Sequence, residues 1–313
     1  MKDFFQLVTD SGGIPNFFWE ITPQCNQRCP MCYLPRSPDP TEIPLELVPR
    51  LTKELRDLGC LIVTLSGGEP FVRPDLLDII TMFREAGLAV VLFTNGTLVT
   101  PSQLDHLAKL GLLRLEITIF SLTPETAAAM GCADPARAMA NIEYARQLGL
   151  TVTVKTPVTR QNVGGLPEIA AWCQRLGADH HLDPLIQSAE DGHATTNFLL
   201  SPTETAMLLG EVTCACDVGP GTFSMRWDGT LIPCLTIPRA MGRWPRQTLR
   251  EVLASSEARS IWKDIKDASL ACRDCPQFRQ CPRCPGLFFS EAGGKPWKYL
   301  CDVARATPQK VDR

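Results

Sequence analysis

A chain of 313 residues, 44% apolar and 21% charged, is long enough to bury one large α/β core and a smaller unit beside it. A formal net charge of -3, with no run of Lys or Arg longer than a pair, leaves no electrostatic footprint for nucleic acid. No window reaches about 18 uninterrupted apolar residues, and the N-terminal MKDFFQLVTDSGG lacks an apolar h-region and a cleavage site, so we expect neither membrane insertion nor export and assign the protein to the cytoplasm.

From residue 16 to about 185, short β-rich runs alternate with longer amphipathic stretches. NFFWEIT (16–22) reads as the first strand, and IPLELVPRLTKELRDLG (43–59) as a helix closed by Gly59 at C′. CLIVTLSG (60–67) is the second strand, followed by the helix RPDLLDIITMFREAG with Pro74 near its first turn. GLAVVLFTN (87–95), LLRLEITIF (112–120), LTVTVKTPV (150–158) and ADHHLDPLI (178–186) are the next four strands. SQLDHLAKLG, DPARAMANIEYARQLG and GLPEIAAWCQRLG are the helices between them.

Such alternation argues a parallel sheet with crossover helices, because parallel neighbours need a connection of about a dozen residues. Periodicity alone admits an open doubly wound sheet or an incomplete (β/α)8 barrel. Both place ligands at the C-terminal ends of the strands. Beyond residue 187, QSAEDGHATTNF is a polar connector, and SPTETAMLLGEV is a short helix with Ser201 as N-cap, Pro202 at N1 and Glu204 completing a capping box. The expected division is an N-terminal segment 1–15, a barrel 16–190, a connector 191–212 and a cysteine-rich unit 213–313.

Fourteen cysteines without an export signal point to metal in a reducing compartment. Cys25, Cys29 and Cys32 form C-x3-C-x2-C just after the first strand. Three thiolates this close can hold three irons of a four-iron cluster and leave the fourth iron open. Zinc is the rival metal, but structural zinc takes four ligands, and no fourth lies nearby in sequence.

This motif, followed by Gly67-Gly68-Glu69-Pro70, resembles the radical S-adenosylmethionine (SAM) superfamily. The resemblance implies a partial (β/α)6 TIM-like barrel, a [4Fe-4S] cluster in the loop after the first strand, and SAM chelating the open iron. It further implies that Gly67, Gly68 and Glu69 meet the methionine amino group and that Tyr33, beside Met31 and the last cysteine, lies near the adenine. Thr118 matches a strand-end hydroxyl for the carboxylate or ribose, and Asn95 and Lys155 are further candidates at the barrel mouth. Read as residues alone, Gly67-Gly68 is also a strand-to-loop bend, Asn95-Gly96 a turn, Thr118 a β-favouring residue and Lys155 a solvent-facing cation.

The C-terminal third holds Cys214, Cys216, Cys234, Cys272, Cys275, Cys281, Cys284 and Cys301. The run C-x12-G-x4-C from Cys216 through Gly229 to Cys234, then C-x2-C-x5-C-x2-C and Cys301, resembles the SPASM extension, which carries two auxiliary clusters. It departs from the family in its last pair, Cys281 and Cys284, usually spaced C-x3-C. The implied outer set is Cys272, Cys275, Cys281 and Cys301. The inner set is Cys216, Cys234 and Cys284, with Cys214 as the nearest fourth candidate. A zinc ribbon is the alternative reading of the spacing. Cys60 and Cys173 read as core residues, Cys132 as a loop thiol near the barrel mouth and a candidate substrate contact, and the four histidines, His106, His180, His181 and His193, as surface or strand-end residues.

Together these features predict a radical SAM/SPASM enzyme with three [4Fe-4S] clusters. It would cleave SAM to a 5′-deoxyadenosyl radical and modify a peptide substrate in natural-product maturation by crosslinking, epimerisation, decarboxylation or backbone excision. The expected partners are a separate leader-binding or accessory protein, since only about fifteen residues precede the first strand, and a flavodoxin or ferredoxin reductant. Formylglycine formation on a sulfatase and modification of a tetrapyrrole are the alternative reactions. A zinc-stabilised binding protein is the non-enzyme alternative.

Overall fold

The computed structural model describes residues 7–35, 41–209, 221–278 and 281–307. Strands β1 (Asn16–Thr22), β2 (Ile62–Gly67), β3 (Ala89–Thr94), β4 (Arg114–Thr118), β5 (Val152–Pro157) and β6 (Asp179–Asp183) fall within or on the six predicted runs. Helices α1 (Val48–Asp57), α2 (Leu76–Glu85), α3 (Pro101–Leu110), α4 (Pro124–Ala129), α5 (Pro135–Gln147) and α6 (Leu166–Leu176) occupy the crossovers. The spatial order β6-β5-β4-β3-β2-β1 follows the chain without a reversal, with every neighbouring pair parallel. A doubly wound sheet reverses at a switch point, so this order selects the partial barrel.

Local chemistry explains the boundaries. Thr100 and Gln103 form a capping box that spans Pro101 at the first helical position, and Gly111 closes α3 at φ 68°. Gly59 takes φ 74° one residue beyond the α1 cap, as its place in the sequence predicts. The predicted helix over 43–59 instead divides into a 3-10 turn, Leu45–Leu47, and α1. Pro74 stands ahead of α2, whose cap is Asp75, because Pro70–Val72 first makes its own turn. The predicted order of strands and helices omits α4, a short Ala-rich helix between β4 and α5.

The strands alternate strictly between two environments. Phe17, Trp19 and Ile21 of β1, with Val63, Leu65, Val90, Leu92, Leu115, Ile117, Val152 and Val154, pack under the helices against Leu51, Leu55, Ile79, Phe83, Leu107 and Ile142. On the other face Phe18 meets Phe93 edge-on, and the Lys155 ammonium lies 4.3 Å from the Phe93 ring centre. Polar residues tolerate that face because it borders the cavity described below.

The C-terminal unit extends the same sheet, which the sequence did not announce. Strand β7 (Thr222–Met225) pairs parallel with β1, β8 (Thr230–Ile232) returns antiparallel to β7, and β9 (Gly242–Arg243) follows antiparallel to β8. The turn between β7 and β8 uses Asp228-Gly229. Gly229 sits at φ +86°, and a Cβ there would lie 2.0 Å from the Trp244 carbonyl oxygen. Helix α7 (Pro202–Leu209) carries the predicted cap, Ser201 Oγ accepting from Glu204 N at 3.3 Å and Ser201 N donating to the Glu204 carboxylate at 2.9 Å. Helices α8 (Leu249–Leu253), α9 (Ser256–Leu270), α10 (Pro285–Ala292) and α11 (Lys298–Ala306) complete the chain. Among the described residues no helix is long and apolar enough to cross a membrane.

Two contacts tie this unit to the barrel. The Glu54 carboxylate of α1 accepts from Trp244 Nε1 at 3.2 Å and Leu249 N at 2.8 Å, and Glu291 of α10 accepts from Ser188 N and Oγ. Trp244 is fully buried. Trp244→Ala should therefore cost about 3–5 kcal/mol, read as a lower urea midpoint with the slope of the transition unchanged.

Candidate active site

The cysteine loop leaves β1 and is pressed against the end of β2. Gly68 N donates to Thr22 O at 2.8 Å and Glu69 N to Gln24 O at 2.7 Å. A Cβ on Gly67 would lie 2.3 Å from Thr22 O, and one on Gly68 2.2 Å from Gln24 O, so only glycine allows the two backbones to meet. The buried Arg73 guanidinium adds a second clamp, donating to Ile21 O and Ile43 O at 3.0 Å each and pairing with Asp75. Farther along the loop, Asn95 Nδ2 donates to Asn26 Oδ1 at 2.8 Å and Asn26 Nδ2 to Thr97 Oγ1 at 2.9 Å.

A cavity of about 930 Å³ opens at these strand ends. Cys25, Cys29, Cys32, Tyr33, Gly67, Gly68, Asn95 and Thr118 all line it. Burial pushes the three thiols up. Cys29 reaches about 12, burial acting first and the neighbouring Cys32, Cys25 and Cys132 adding to it, while Asn95 Nδ2 approaches Cys25 Sγ at 3.9 Å. Three crowded thiols in a low-dielectric pocket become thiolates when a cationic centre binds them. This donor set therefore fits an iron–sulfur cluster.

Two of the candidate SAM contacts, Glu69 and Lys155, are not among the residues that line the cavity. Glu69 is fully buried and does not line the cavity: its carboxylate accepts from Phe71 N at 3.0 Å, Thr94 Oγ1 at 2.7 Å and Asn95 N at 2.7 Å. Burial raises its pKa against those hydrogen bonds. Glu69 thus braces β3 against the glycine turn. Lys155 pairs with Glu116 at 3.4 Å and covers Phe93 beneath the cavity, because an ammonium on the concave face finds both a carboxylate and a ring before it finds the mouth.

Tyr33 lines the cavity, while its hydroxyl donates to Glu20. Glu20 is fully buried, and burial raises it to about 7 even though the Tyr33 hydrogen bond and the Arg226 charge pull it down. Glu190 N donates to Tyr33 O at 3.0 Å, and the Glu190 carboxylate pairs with Arg226. The loop, the connector and the residue after β7 are joined at this point.

The C-terminal cysteines fall into two groups. The Cys281 thiol is pushed up to about 11 by burial first, then by Cys272, Cys301 and Cys275, so these four lie within reach of one another. Cys234 is raised by burial, with Cys284 adding to it, and its sulfur lies 2.9 Å from Thr236 Oγ1. Cys284 and Thr236 line the same cavity as the loop cysteines. Cys214 and Cys216 lie outside the described residues. Among the described residues no three Cys, His, Asp or Glu side chains converge tightly enough to chelate one metal ion.

Cys60 and Cys173 are core residues, as expected. Cys132 is buried with Met31, Phe120, Ala127, Met130, Ile186 and Leu199 behind Cys29, and does not line the cavity as a substrate contact would. His193 reads as a surface residue in sequence, yet its Nδ1 pairs with Asp191 and its side chain lines the cavity. Asp183, Gln187 and Phe120 join it there. Nothing in the polar connector marks these positions, because they reach the cavity only when the chain folds back from β6.

A partial barrel with a three-cysteine loop at its mouth, faced by further cysteines from a second unit, defines a radical enzyme that handles SAM on an iron–sulfur cluster. The radical SAM superfamily profile matches residues 19–173, and that of the SPASM iron–sulfur cluster-binding domain matches residues 216–285. This chain belongs to the radical SAM superfamily and carries a SPASM domain, and it is an enzyme that uses SAM and [4Fe-4S] clusters. It is 26% identical to the AdoMet-dependent heme synthase of Methanosarcina barkeri, over 88% of this chain and 92% of that relative. It is 29% identical to the PqqA peptide cyclase of Ruegeria pomeroyi, over 82% of this chain and 78% of the relative. Among solved structures, Streptococcus suis SuiB bound to S-adenosylmethionine superposes with a TM-score of 0.76 at 15% identity, covering 93% of this chain and 77% of that one.

Because Glu20 titrates near 7 in the fold against 4.5 outside it, its protonated form is the one the fold favours. That contribution is complete below about pH 4.5 and is lost as pH rises through about 7, amounting to about 3 kcal/mol. Unfolding free energies from denaturant titrations should fall over this window, and Glu20→Gln should remove that part of the slope.

Proposed function

We propose that this enzyme abstracts a hydrogen atom from a peptide and so introduces a post-translational modification during natural-product maturation. Cys25, Cys29 and Cys32 would hold the SAM-binding cluster. Cys272, Cys275, Cys281 and Cys301 would hold an outer auxiliary cluster, and Cys216, Cys234 and Cys284 an inner one with Cys214 as candidate fourth ligand. Three [4Fe-4S] clusters follow. When bound, the first supplies one electron to the SAM sulfonium, releasing methionine and a 5′-deoxyadenosyl radical.

The protein's part is to position and to exclude water. Gly67 and Gly68 offer their backbone to the methionine end of SAM, and the Tyr33 ring, Asn95 and Thr118 form the cofactor's remaining wall. The single observation that carries the reading is the shared cavity, which the loop cysteines and Cys284 line together. A substrate there lies between the site of radical formation and the inner cluster. Asp183, Gln187, His193 and Arg28 supply polar groups along an otherwise apolar lining that includes Phe93, Phe120, Ile186 and Leu287, which suits a peptide with both backbone and side chains to engage. Similarity to PqqA peptide cyclase over most of the chain supports the same substrate class. A leader-binding accessory protein and a flavodoxin or ferredoxin reductant complete the proposal.

Modification of a tetrapyrrole is the second reading, favoured by similarity to an AdoMet-dependent heme synthase along 92% of its length. Anaerobic incubation with SAM and a reductant, offering either a short peptide encoded beside this gene or an iron porphyrin precursor, separates the two by which one changes mass. Purified protein should hold about twelve irons per chain. Formation of 5′-deoxyadenosine should vanish in Cys25→Ala, Cys29→Ala or Cys32→Ala. In Cys272→Ala or Cys281→Ala, SAM cleavage without substrate should persist while product formation is lost, and product from either variant would show the outer site to be dispensable.

A further inference from the structure

One buried polar side chain at the cavity is left unused by the chemistry above. Gln27 sits between Cys25 and Cys29, is only 8% exposed and lines the cavity. Its Oε1 accepts from Cys29 Sγ at 3.7 Å, and its buried Nε2 has no partner within full hydrogen-bond distance. A buried amide N–H without a full-strength partner is costly, so a well-built site gives it something to bind. The amide also reaches Cys132, likewise buried: burial pushes that thiol up, and a long hydrogen bond from the Gln27 side chain pulls it down. The preceding Gly131 brings that segment so close that a Cβ there would lie 2.7 Å from Cys29 Cα.

The bond from Cys29 to Gln27 exists only while Cys29 keeps its proton. As an iron ligand Cys29 is a thiolate with nothing to donate, and Oε1 would face a negative sulfur. A primary amide resolves this by a half-turn of its terminal group, which exchanges oxygen and nitrogen within the same space. The turned amide aims N–H at Cys29 Sγ and offers Oε1 to the Cys132 thiol, so Nε2 exchanges a long contact with Cys132 for a charge-assisted one with Cys29.

We propose that Gln27, backed by Cys132, donates an N–H···S hydrogen bond to Cys29 in the iron-bound protein and thereby raises the reduction potential of the SAM-binding cluster. The inference rests on the reading of Cys25, Cys29 and Cys32 as cluster ligands. A hydrogen bond to a ligand sulfur stabilises the more negative, reduced state and so favours electron uptake. Gln27 is a positioning residue in this scheme: it touches a ligand sulfur and takes no part in bond breaking.

The test uses the full-length holoenzyme and an EPR-monitored redox titration, following the signal component that SAM perturbs. Iron content and 5′-deoxyadenosine formation by the wild type judge the parent reading separately, whatever Gln27 does. Gln27→Met, similar in length and without a donor, should keep its iron and move the midpoint to more negative potential. Gln27→Glu should move it further, since it adds negative charge. Cys132→Ala should shift it in the same direction by less, and Cys132→Ser, which keeps a donor, should restore it. An unchanged midpoint in Gln27→Met with iron retained overturns the proposal. A second readout needs no variant to fold: pulsed EPR of the reduced wild type, with glutamine side-chain nitrogen isotopically labelled, should show coupling between this cluster and an amide nitrogen, and its absence overturns the proposal equally.

Discussion

The site depends on a contact between two stretches of backbone. The glycines that end β2 lie so close to Thr22 and Gln24 that no side chain fits between them, and two main-chain hydrogen bonds close the gap. Parallel pairing of β1 with β2 runs to Glu20 opposite Ser66, and a one-residue shift after Glu20 then sets Thr22 opposite Gly67, so the cysteine loop and the glycine turn emerge at the same level. Glu69 then transmits this order sideways, its buried carboxylate gripping the end of β3 through Thr94 and Asn95. Three consecutive strand ends are thereby locked into one rim.

On that rim the chain gathers groups that are poorly satisfied alone. Thiols buried together keep their protons at neutral pH, and the buried Gln27 amide has a donor without a full-strength partner. Both conditions are relieved by a cationic centre that converts thiols to thiolates. Strain of this kind at a site is the mark of a fold arranged for a partner that it does not itself contain.

The SPASM unit is connected to the barrel through the sheet itself. By adding β7 to the free edge of β1, the chain continues through the Asp228-Gly229 hairpin to Leu235 and Thr236, which line the cavity of the loop cysteines. The network of Tyr33, Glu20, Arg226 and Glu190 sits at this seam and touches the loop, the barrel and the connector. Placement of Cys284 in the common cavity follows from these attachments.

The six strands, their crossover helices and the caps at Gly59 and Ser201 were legible in the sequence because periodicity, glycine angles and capping chemistry act over a few residues. The motif cysteines and Gly67-Gly68 were legible for the same reason: their spacing is itself the chemical signal. Strand β7 was not, since four residues carry too little alternation to be read, although the Asp-Gly turn beyond it was a usable sign. The inward turn of Glu69, the pairing of Lys155 with Glu116, the arrival of His193 and Gln187 at the cavity and the burial of Cys132 behind Cys29 depend on residues far apart in the chain. Sequence by itself determined which elements form and which thiols are close enough to act together. Tertiary structure alone decided which side chains face the cavity, because that choice is made by competition among distant partners for the same buried space.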